Sequence, residues 1–324
     1  MNTYYWLIKR EFWENRGSFL WAPVIATGVF LLLNIMGVIT FEVFAASHGI
    51  NISGLNIDQL VHGMDATAMR NVGVGIDMAM LSAGSLLGIV VGIVVFFYCL
   101  GSLYDDRRDR SILFWKSLPI SDRDTVYSKV ISAAAVAPVI ATICGIIGAI
   151  GMLLLVMLVA TIHGVHLWTL LGYAHPLRTL WIMVATLPVN LVWALPTIGW
   201  LLLCSAWARS KPFLWAVALP VATGTIVSWF SLMHSFSLSS AWFWQHIVAR
   251  MLFSVFPGGW IQSDKLATSV SGVHGFNLAD SFNKIVSVGN AWSQILSTEF
   301  LVGAVAGLAM ITAAIWFRRR RDDA

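Results

Sequence analysis

Three histidines in the middle of the chain have the residue type and spacing that could bind a metal ion. His163 and His166 are three residues apart, so one face of a helix would carry both imidazoles, and His175 follows nearby. They have no carboxylate partner in this pattern. Three such histidines at the edge of an apolar stretch are more often interfacial residues than ligands, so we expect no metal ion on this chain.

Catalytic and nucleotide-binding patterns are missing from the sequence as well. A phosphate-binding loop of the form G-x-x-x-x-G-K-[ST] needs a lysine directly after a glycine, and none of the six lysines follows one. No nucleophile elbow and no paired-carboxylate spacing is recognisable. We therefore expect no catalytic residue and no cofactor on this chain, and any ATP that drives it must be bound by another chain.

The segment from Tyr104 to Lys129 is the part of the chain best suited to meet a partner. It contains eleven charged residues around a short apolar patch and one proline. A charge at the centre of a bilayer costs about 2.5 to 3.5 kcal/mol, so eleven charges would cost roughly 25 to 40 kcal/mol in lipid. The segment must therefore lie in water.

The composition of the whole chain predicts an all-α polytopic membrane protein with a single transmembrane domain over residues 1–324. Hydrophobic residues make up 58% and charged residues only 11%, and the mean hydropathy is +0.78. Soluble domains have about 25% charged residues, and a helix needs about 20 apolar residues to cross a bilayer. Six stretches meet that length: Phe19–Phe41, Met80–Leu103, Val130–Ile162, Leu180–Ala208, Phe213–Phe236 and Phe300–Phe317. As drawn, these stretches contain no Asp, Glu, Lys or Arg, which argues against an ion-coupled transporter.

The basic residues are unevenly divided between the two sides of such a bundle. Fifteen of the twenty Lys and Arg fall before the first span, in the 104–129 segment, after the fourth span or after the last span. The positive-inside rule then predicts that both termini and the 104–129 loop are cytoplasmic. We expect the first stretch to be an uncleaved span, because it is too long for a signal peptide.

Three segments outside the spans have predicted structures of their own. Residues 1–18 are expected to form an interfacial helix, because Tyr4, Tyr5, Ile8 and Phe12 share one helical face. Two outer loops are expected, at residues 42–79 and 237–295. The second contains Ser239–Phe256, which is too short and polar to span and ends in Pro257-Gly258-Gly259, so a re-entrant hairpin is predicted before the last span.

Small residues recur at four-residue spacing in two of the spans. Gly84, Gly88 and Gly92 lie in the second span, and Gly303 and Gly307 lie in the last. This pattern lets another helix approach closely. It is compatible with packing inside one subunit and with an interface between two subunits.

Prolines interrupt the fourth span. Pro188, Asn190 and Pro196 leave backbone carbonyls that need other partners, and such breaks often line a transport pathway. Pro257 of the predicted hairpin belongs to the same group of pathway candidates. Plain kinks in a packed bundle explain these prolines equally well. Pro138 predicts a kink of this kind in the third span.

The centre of the charged segment has the pattern of a docking helix. Ile112, Phe114 and Trp115 form an apolar face, Pro119 then breaks the helix, and Ser121 can cap the next one. Such a helix could enter a socket on a soluble partner. Alternatively, the apolar patch lies back on the bilayer while the charges stay solvated.

This segment resembles the loop between spans two and three of type-2 ABC exporter permeases. The similarity lies in the run from Asp106 to Ile112, the run from Ser117 to Ser121, and Lys129 at the start of the third span. The interfacial helix, six spans and predicted hairpin resemble the same family. The sequence departs from the family pattern at Arg110 and Leu113.

The resemblance implies that two permease subunits, here a homodimer, assemble with two copies of an ATPase subunit that binds ATP and Mg. It also implies a bacterial inner membrane location, contact with membrane lipids and no nucleic-acid partner. The residues that it assigns to ATPase coupling are Arg107, Arg108, Asp109, Ser111, Phe114, Trp115, Pro119, Arg123 and Lys129.

The sequence thus favours the permease subunit of an ATP-driven exporter that moves a hydrophobic or amphipathic substrate out of the cytoplasm. One alternative is a membrane scaffold or sensor whose 104–129 loop binds a cytoplasmic partner and transports nothing. Another is a passive channel or metal permease that uses His163 and His166.

Overall fold

The computed structural model describes residues 3–48, 65–109, 120–164, 171–233, 239–261, 282–283 and 285–320. Within these ranges the chain is 88% helical and contains no strand, which confirms the all-α class. Six helical stretches are long and apolar enough to cross a membrane, as predicted: Gly17–Ser47, Ala66–Arg108, Asp122–Ile162, Pro176–Trp193, Pro212–Leu232 and Thr298–Arg320. The chain is a multi-pass membrane protein.

The described helices are numbered in chain order. They are α1 Thr3–Glu14, α2 Ala22–Ser47, α3 Ala66–Ser102, α4 Tyr104–Arg108, α5 Asp122–Ile131, α6 Ala137–Ile162, α7 Pro176–Ala185, α8 Leu187–Trp193, α9 Leu195–Trp207, α10 Pro212–Leu232, α11 Ser240–Phe243, α12 Ala249–Phe253, α13 Val288–Ser293 and α14 Thr298–Arg320. Single π-helical turns precede α2, α6 and α12, at Gly17–Trp21, Ser132–Val136 and Trp244–Val248.

Helix α3 begins well before the apolar stretch that predicted it. Asp65 caps its first turn, because the carboxylate accepts hydrogen bonds from the Thr67 hydroxyl at 2.8 Å and the Ala66 N–H at 2.7 Å. These two hydrogen bonds hold the pKa of Asp65 below its usual range. The cap fixes the start of a helix of 37 residues, which continues to Ser102.

The longer helix brings a carboxylate into the bundle that the apolar pattern did not predict. Asp77 lies in α3 and is only 4% exposed. It accepts hydrogen bonds from the His175 N–H and the Thr179 hydroxyl, each at 3.1 Å, at the start of α7. Donors at the N-terminus of a helix offset the cost of burying a carboxylate. The span drawn from Met80 contains no ionisable residue, but the helix extends beyond it and includes Asp77, which the sequence analysis placed in the outer loop.

Prolines and one serine determine the other local features. Ser121 caps α5 as predicted, because its hydroxyl accepts a hydrogen bond from the Asp124 N–H at 3.1 Å. The fourth apolar stretch is divided into α7, α8 and α9, with breaks at Thr186 and Ala194. Each break lies two residues before a proline, at Pro188 and Pro196, whose ring nitrogens cannot donate to the preceding turn.

The main apolar core lies between α3, α9 and α14. Its fully buried side chains include Val95, Ile198, Leu201 and Ile311. Helices α9 and α14 approach closely where Gly199 faces Gly307. A Cβ on Gly199 would lie only 2.5 Å from the Gly307 carbonyl oxygen, so this contact leaves no room for a side chain. Among the six candidate spans, the one that contains α2 is the least buried in the bundle.

The two segments predicted to form helices outside the spans are helical in the structure. The N-terminal segment forms α1, but its buried residues are Leu7 and Glu11, whereas Tyr4 and Tyr5 are exposed. The second segment runs from Ser240 to Phe253 as two short α-helices joined by a π turn, and it ends in a turn where Gly258 has a positive φ of 78°. The interfacial and re-entrant positions of these helices remain predictions.

Candidate functional site at the base of the charged loop

The structure describes both flanks of the charged loop. The flank before residue 110 is α4, and the flank after residue 119 begins with the Ser121 cap of α5. Four of the predicted coupling residues, namely Ser111, Phe114, Trp115 and Pro119, lie outside the described residues.

One arginine of the last helix holds both flanks. Arg318 of α14 pairs with Asp106 through Nη1 at 3.1 Å and with Asp122 through Nε at 3.2 Å. Its side chain is only 4% exposed. Asp106 precedes the central part of the loop and Asp122 follows it, so a single guanidinium ties the two ends of the loop to α14.

A lysine at the start of the third span extends this network to the N-terminal helix. The ammonium of Lys129 lies 3.1 Å from Glu11 Oε1 and 3.7 Å from Asp106 Oδ2. The second carboxylate oxygen of Glu11 accepts a hydrogen bond from the Tyr98 hydroxyl at 2.7 Å. Lys129 and Glu11 are both almost completely buried, with side chains 6% and 3% exposed.

We call the six residues of this network the ionic junction: Glu11, Tyr98, Asp106, Asp122, Lys129 and Arg318. They come from α1, α3, α4, α5 and α14, so the junction joins five helices at one end of the bundle. Each of its two cations is paired with two carboxylates. Removing one partner would leave a buried charge uncompensated, so separating either loop flank from the junction is energetically costly.

Arg107, one of the residues that the resemblance assigns to ATPase coupling, contacts the C-terminus of α9. Its Nη2 donates to the Ser205 carbonyl at 2.6 Å and to the Ala208 carbonyl at 3.0 Å, at the C-terminus of α9. The Ser205 hydroxyl in turn accepts hydrogen bonds from the Leu103 and Tyr104 N–H groups at 3.1 and 2.9 Å. The ends of α3 and α9 thus satisfy each other's backbone groups.

The predicted coupling residues divide into two groups in the described part of the loop. Arg107 and Lys129 turn inward and bind other helices. Arg108, Asp109 and Arg123 are exposed. Among the predicted coupling residues in the described part of the loop, the exposed charges are therefore those of Arg108, Asp109 and Arg123.

Of the six residues of the ionic junction, sequence reasoning identified Lys129 as a site residue and missed the other five. Glu11 lies one helical turn after the buried Leu7, on the same face of α1. A charged residue on an apolar helical face could have indicated a buried ion pair. Arg318 was noticed only as part of a basic run, and Asp106 and Asp122 only as loop charges. Their pairing joins positions 212 and 196 residues apart, which no local pattern reveals.

The glycines of the second span contact other parts of the same chain. A Cβ on Gly84 would lie 2.5 Å from Met183 Cε, one on Gly88 would overlap the Pro257 ring, and one on Gly92 would lie 2.7 Å from the Phe256 ring. These glycines therefore let the turn after α12 pack directly against α3.

The glycines of the last span likewise contact this chain. A Cβ on Gly303 would overlap the Arg250 guanidinium, and one on Gly307 would lie 2.6 Å from the Leu195 carbonyl. Close packing inside one chain thus accounts for the spacing of Gly303 and Gly307.

The pathway candidates do not all lie in one place. Asn190 and Pro257 line a cavity of about 230 Å³ between α3, α6, α8 and the turn after α12. The indole N–H of Trp260 donates to Asn190 Oδ1 at 3.0 Å across this region. Pro188 and Pro196 are not among the described lining residues; their effect on the cavity is through the breaks that they cause.

The histidines are not gathered into one site. His163 Nε2 lies 3.1 Å from Glu42 Oε1, and the His175 N–H binds Asp77, whereas His166 lies outside the described residues. In the described part of the chain, no three His, Cys, Asp or Glu side chains lie close enough to hold a metal ion.

Comparison with known proteins gives one match. The model of the ABC-2 family transporter protein matches residues 74–237, about half of the chain. This range includes α4, α5 and the charged loop, so the match confirms the resemblance seen there. No curated protein and no solved structure matches the chain.

Proposed function

This chain belongs to the ABC-2 transporter family, and we propose that it is the permease subunit of an exporter driven by a separate ATPase subunit. The family implies an ABC transporter with an ATPase partner. In the proposed assembly two identical permease chains and two ATPase chains work together in a bacterial inner membrane. Both termini and the charged loop face the cytoplasm, and the cargo is hydrophobic or amphipathic.

The observation that carries the proposal is the way in which the charged loop is anchored. Asp106 and Asp122, on either side of the loop, are both paired with Arg318. A loop that only shields the bilayer needs no such anchor, because exposed flanks are stable in water without buried ion pairs. A loop that transmits force needs flanks that move together with the helices behind them.

The ionic junction offers a physical route for that transmission. When an ATPase displaces the loop, Asp106 and Asp122 move Arg318 and therefore α14. Helix α14 packs against the start of α9 at Gly307, where a Cβ on this glycine would overlap the Leu195 carbonyl. Tightly packed helices shift as units, so movement of the loop would reach the broken fourth span.

A second branch of this route leads to the N-terminal helix. Lys129 links Asp106 to Glu11, and the Tyr4 hydroxyl donates to Asp124 at the start of α5. Helix α1 would therefore move together with the third span. If α1 lies in the membrane interface, as its exposed aromatic residues favour, it would resist displacement out of the membrane plane.

The exposed charges of the loop are the proposed contacts with the ATPase. Arg108, Asp109 and Arg123 are exposed on the two flanks. We assign the docking contacts to these three residues together with Ser111, Phe114, Trp115 and Pro119. ATP and Mg would be bound by the partner, since the sequence of this chain contains no phosphate-binding loop.

Affinity purification and reconstitution test the proposal. The tagged chain is isolated from its native membrane in a mild detergent, and a co-purified ATPase is identified by its phosphate-binding loop and assayed for ATP hydrolysis. We expect one ATPase per permease chain. A folded permease that recruits no ATPase would contradict the proposal.

A matched pair of variants tests the contacts. Arg108→Glu combined with Arg123→Glu should reduce ATPase recovery at least tenfold, because both exposed cations become anions. Arg209→Glu reverses another exposed charge after the fourth span and should recover as much ATPase as the wild type. Equal ATPase recovery with both variants would show that the loop flanks are not part of the docking surface.

A further inference from the structure

Three irregular backbone segments meet at one cavity inside the bundle. The third apolar stretch has its π turn at Ser132–Val136, the fourth is broken at Thr186 and Ala194, and α12 ends in the turn that contains Pro257. Residues from all three segments line the cavity of about 230 Å³. Irregular backbone at membrane depth is tolerated where it lines a cavity or is buried in protein, and π turns occur frequently at functional sites.

The π turn faces the cavity with small residues. Ala133 and Ala134 are among the lining residues, as is Pro138 at the start of α6. Alanine side chains fill little space, so the widened helical turn leaves a recess in the third span. This recess lies opposite the fourth span, where Thr186 and Ala194 also line the cavity.

The turn after α12 closes a further wall. Gly258 has a φ of 78°, a conformation that other residues rarely adopt, and it places Pro257 and Trp260 toward the cavity. Gly88 and Gly92 of α3 leave room for this turn, since a Cβ on either would overlap Pro257 or Phe256. The wall is therefore built by specific small residues and is not a gap left by poor packing.

The described part of the lining contains one amide side chain and no charged side chain. Among the described residues around the cavity there is no Asp, Glu, Lys, Arg or His. The hydroxyls of Thr142 and Thr186 donate to carbonyls of their own helices, at 2.9 and 2.8 Å. Asn190 accepts from Trp260 through Oδ1, and within the described residues its amide Nδ2 makes no hydrogen bond. One amide donor is thus available to a ligand, and the hydroxyls of Ser85 and Ser287 also line the cavity.

The volume limits the size of the ligand. A cavity of about 150 Å³ holds one benzene ring, so about 230 Å³ has room for about nine non-hydrogen atoms. Sites for whole drug-sized molecules begin near 300 Å³. The cavity is partly open, so it has room to enclose a single ring or a short alkyl chain but not a whole peptide or lipid.

We propose that this cavity binds small uncharged amphiphiles, with an alkyl chain or single ring in the apolar part and one hydrogen-bond acceptor at Asn190 Nδ2. The proposal rests on the proposed function, because it makes the cavity the substrate site of the permease. Charged analogues are excluded, since burying an ion without a counter-charge is far less favourable than burying a hydroxyl that is hydrogen-bonded.

Photolabelling of the purified full chain tests this inference without any ATPase. The protein is placed in lipid nanodiscs and irradiated with a diazirine analogue of 1-octanol, and mass spectrometry locates the labelled residues. We expect label on lining residues such as Ile182 and Trp260, displaced by 1-octanol. Octanoate and octylammonium should displace it at least tenfold less effectively.

Two adjacent residues of α6 give a matched pair of variants. Thr142→Phe adds a ring to the cavity wall and should reduce the specific label at least fivefold. If the phenylalanine prevents folding, the smaller substitution Thr142→Leu replaces it and should also reduce the label. Ile143→Phe lies at a position that is 54% exposed and should leave the label unchanged.

A third variant tests the amide. Asn190→Leu should weaken displacement by 1-octanol by roughly two- to tenfold, as expected for one lost hydrogen bond. Label that Thr142→Phe does not reduce, or equal displacement by octanoate and 1-octanol, would overturn the inference. Such a result would leave ATPase recruitment intact, so a failure here is distinguishable from a failure of the proposed function.

Discussion

The ionic junction and the cavity differ in how they use buried polar groups. In the junction, Lys129 and Arg318 are surrounded by carboxylates and join regular helices. Around the cavity, the described lining has no charge, and the backbone departs from regular helix in three places. The second and third spans contribute to both regions. The comparison suggests a bundle that is fixed at the loop end and adaptable in its interior.

This difference has a physical basis. Buried ion pairs are strongly directional and lose several kcal/mol when one partner is displaced, so a region built from them moves as a unit. Apolar contacts without direction tolerate a change of shape, and broken helices concentrate the bending at a few residues. A transporter needs both properties. Movement of the loop must be transmitted to the spans, and the substrate site must open to the two sides of the membrane in turn.

The largest expected effect comes from removing a cation of the junction. Lys129→Met keeps the length of the side chain but leaves Glu11 and Asp106 without that partner, so we expect a loss of about 3 to 5 kcal/mol in the free energy of unfolding. Denaturant unfolding in detergent measures it. Lys9→Met, at an exposed position of α1, should change stability by less than about 0.5 kcal/mol. A similar, small effect of both variants would mean that the junction is not rigid.

An intermediate effect is expected where the cavity wall meets α3. Gly88→Ala should destabilise the protein by about 1 to 3 kcal/mol, because the new methyl group would overlap Pro257. Gly75→Ala on the same helix has no atom within 4 Å of the new Cβ and should be neutral or stabilising. If both substitutions stabilise equally, the turn does not pack on α3 as described.

The smallest expected effect is on the loop flank, where a local cap acts independently of both regions. Ser121→Ala removes the acceptor of the Asp124 N–H and should cost about 0.5 to 2 kcal/mol. Hydrogen exchange at the Asp124 amide should accelerate, while that of α14 stays unchanged. Accelerated exchange in α14 as well would show that the cap belongs to the junction. Ser82→Ala, an exposed serine in the middle of α3, serves as the control.

The sequence predicted the features that depend on neighbouring residues. Apolar length was enough to identify the six spans, and Ser121 was recognised as a cap because capping involves residues only three apart. The breaks of the fourth span followed from Pro188 and Pro196, since each proline removes a donor of its own helix.

Features that depend on distant residues could not be predicted in this way. Arg318 and its two carboxylate partners are brought together only by the packing of the whole bundle. The span boundaries were drawn from apolarity, which misplaced Asp77 outside the bundle because its compensating donors are about 100 residues away. The aromatic residues of α1 predicted a face toward the membrane interface, but no local pattern predicted that Glu11 would pair with Lys129 on the face that packs against the bundle.

Permease-stimulated ATP hydrolysis tests the central claim most directly, namely that the ionic junction transmits movement from the loop. Arg318→Gln and its exposed neighbour variant Arg319→Gln are each reconstituted with the ATPase, and hydrolysis is measured per assembled complex. The account predicts that Arg318→Gln binds the ATPase with wild-type stoichiometry but reduces stimulation at least tenfold, whereas Arg319→Gln retains it. Full stimulation in assembled Arg318→Gln complexes would contradict the account.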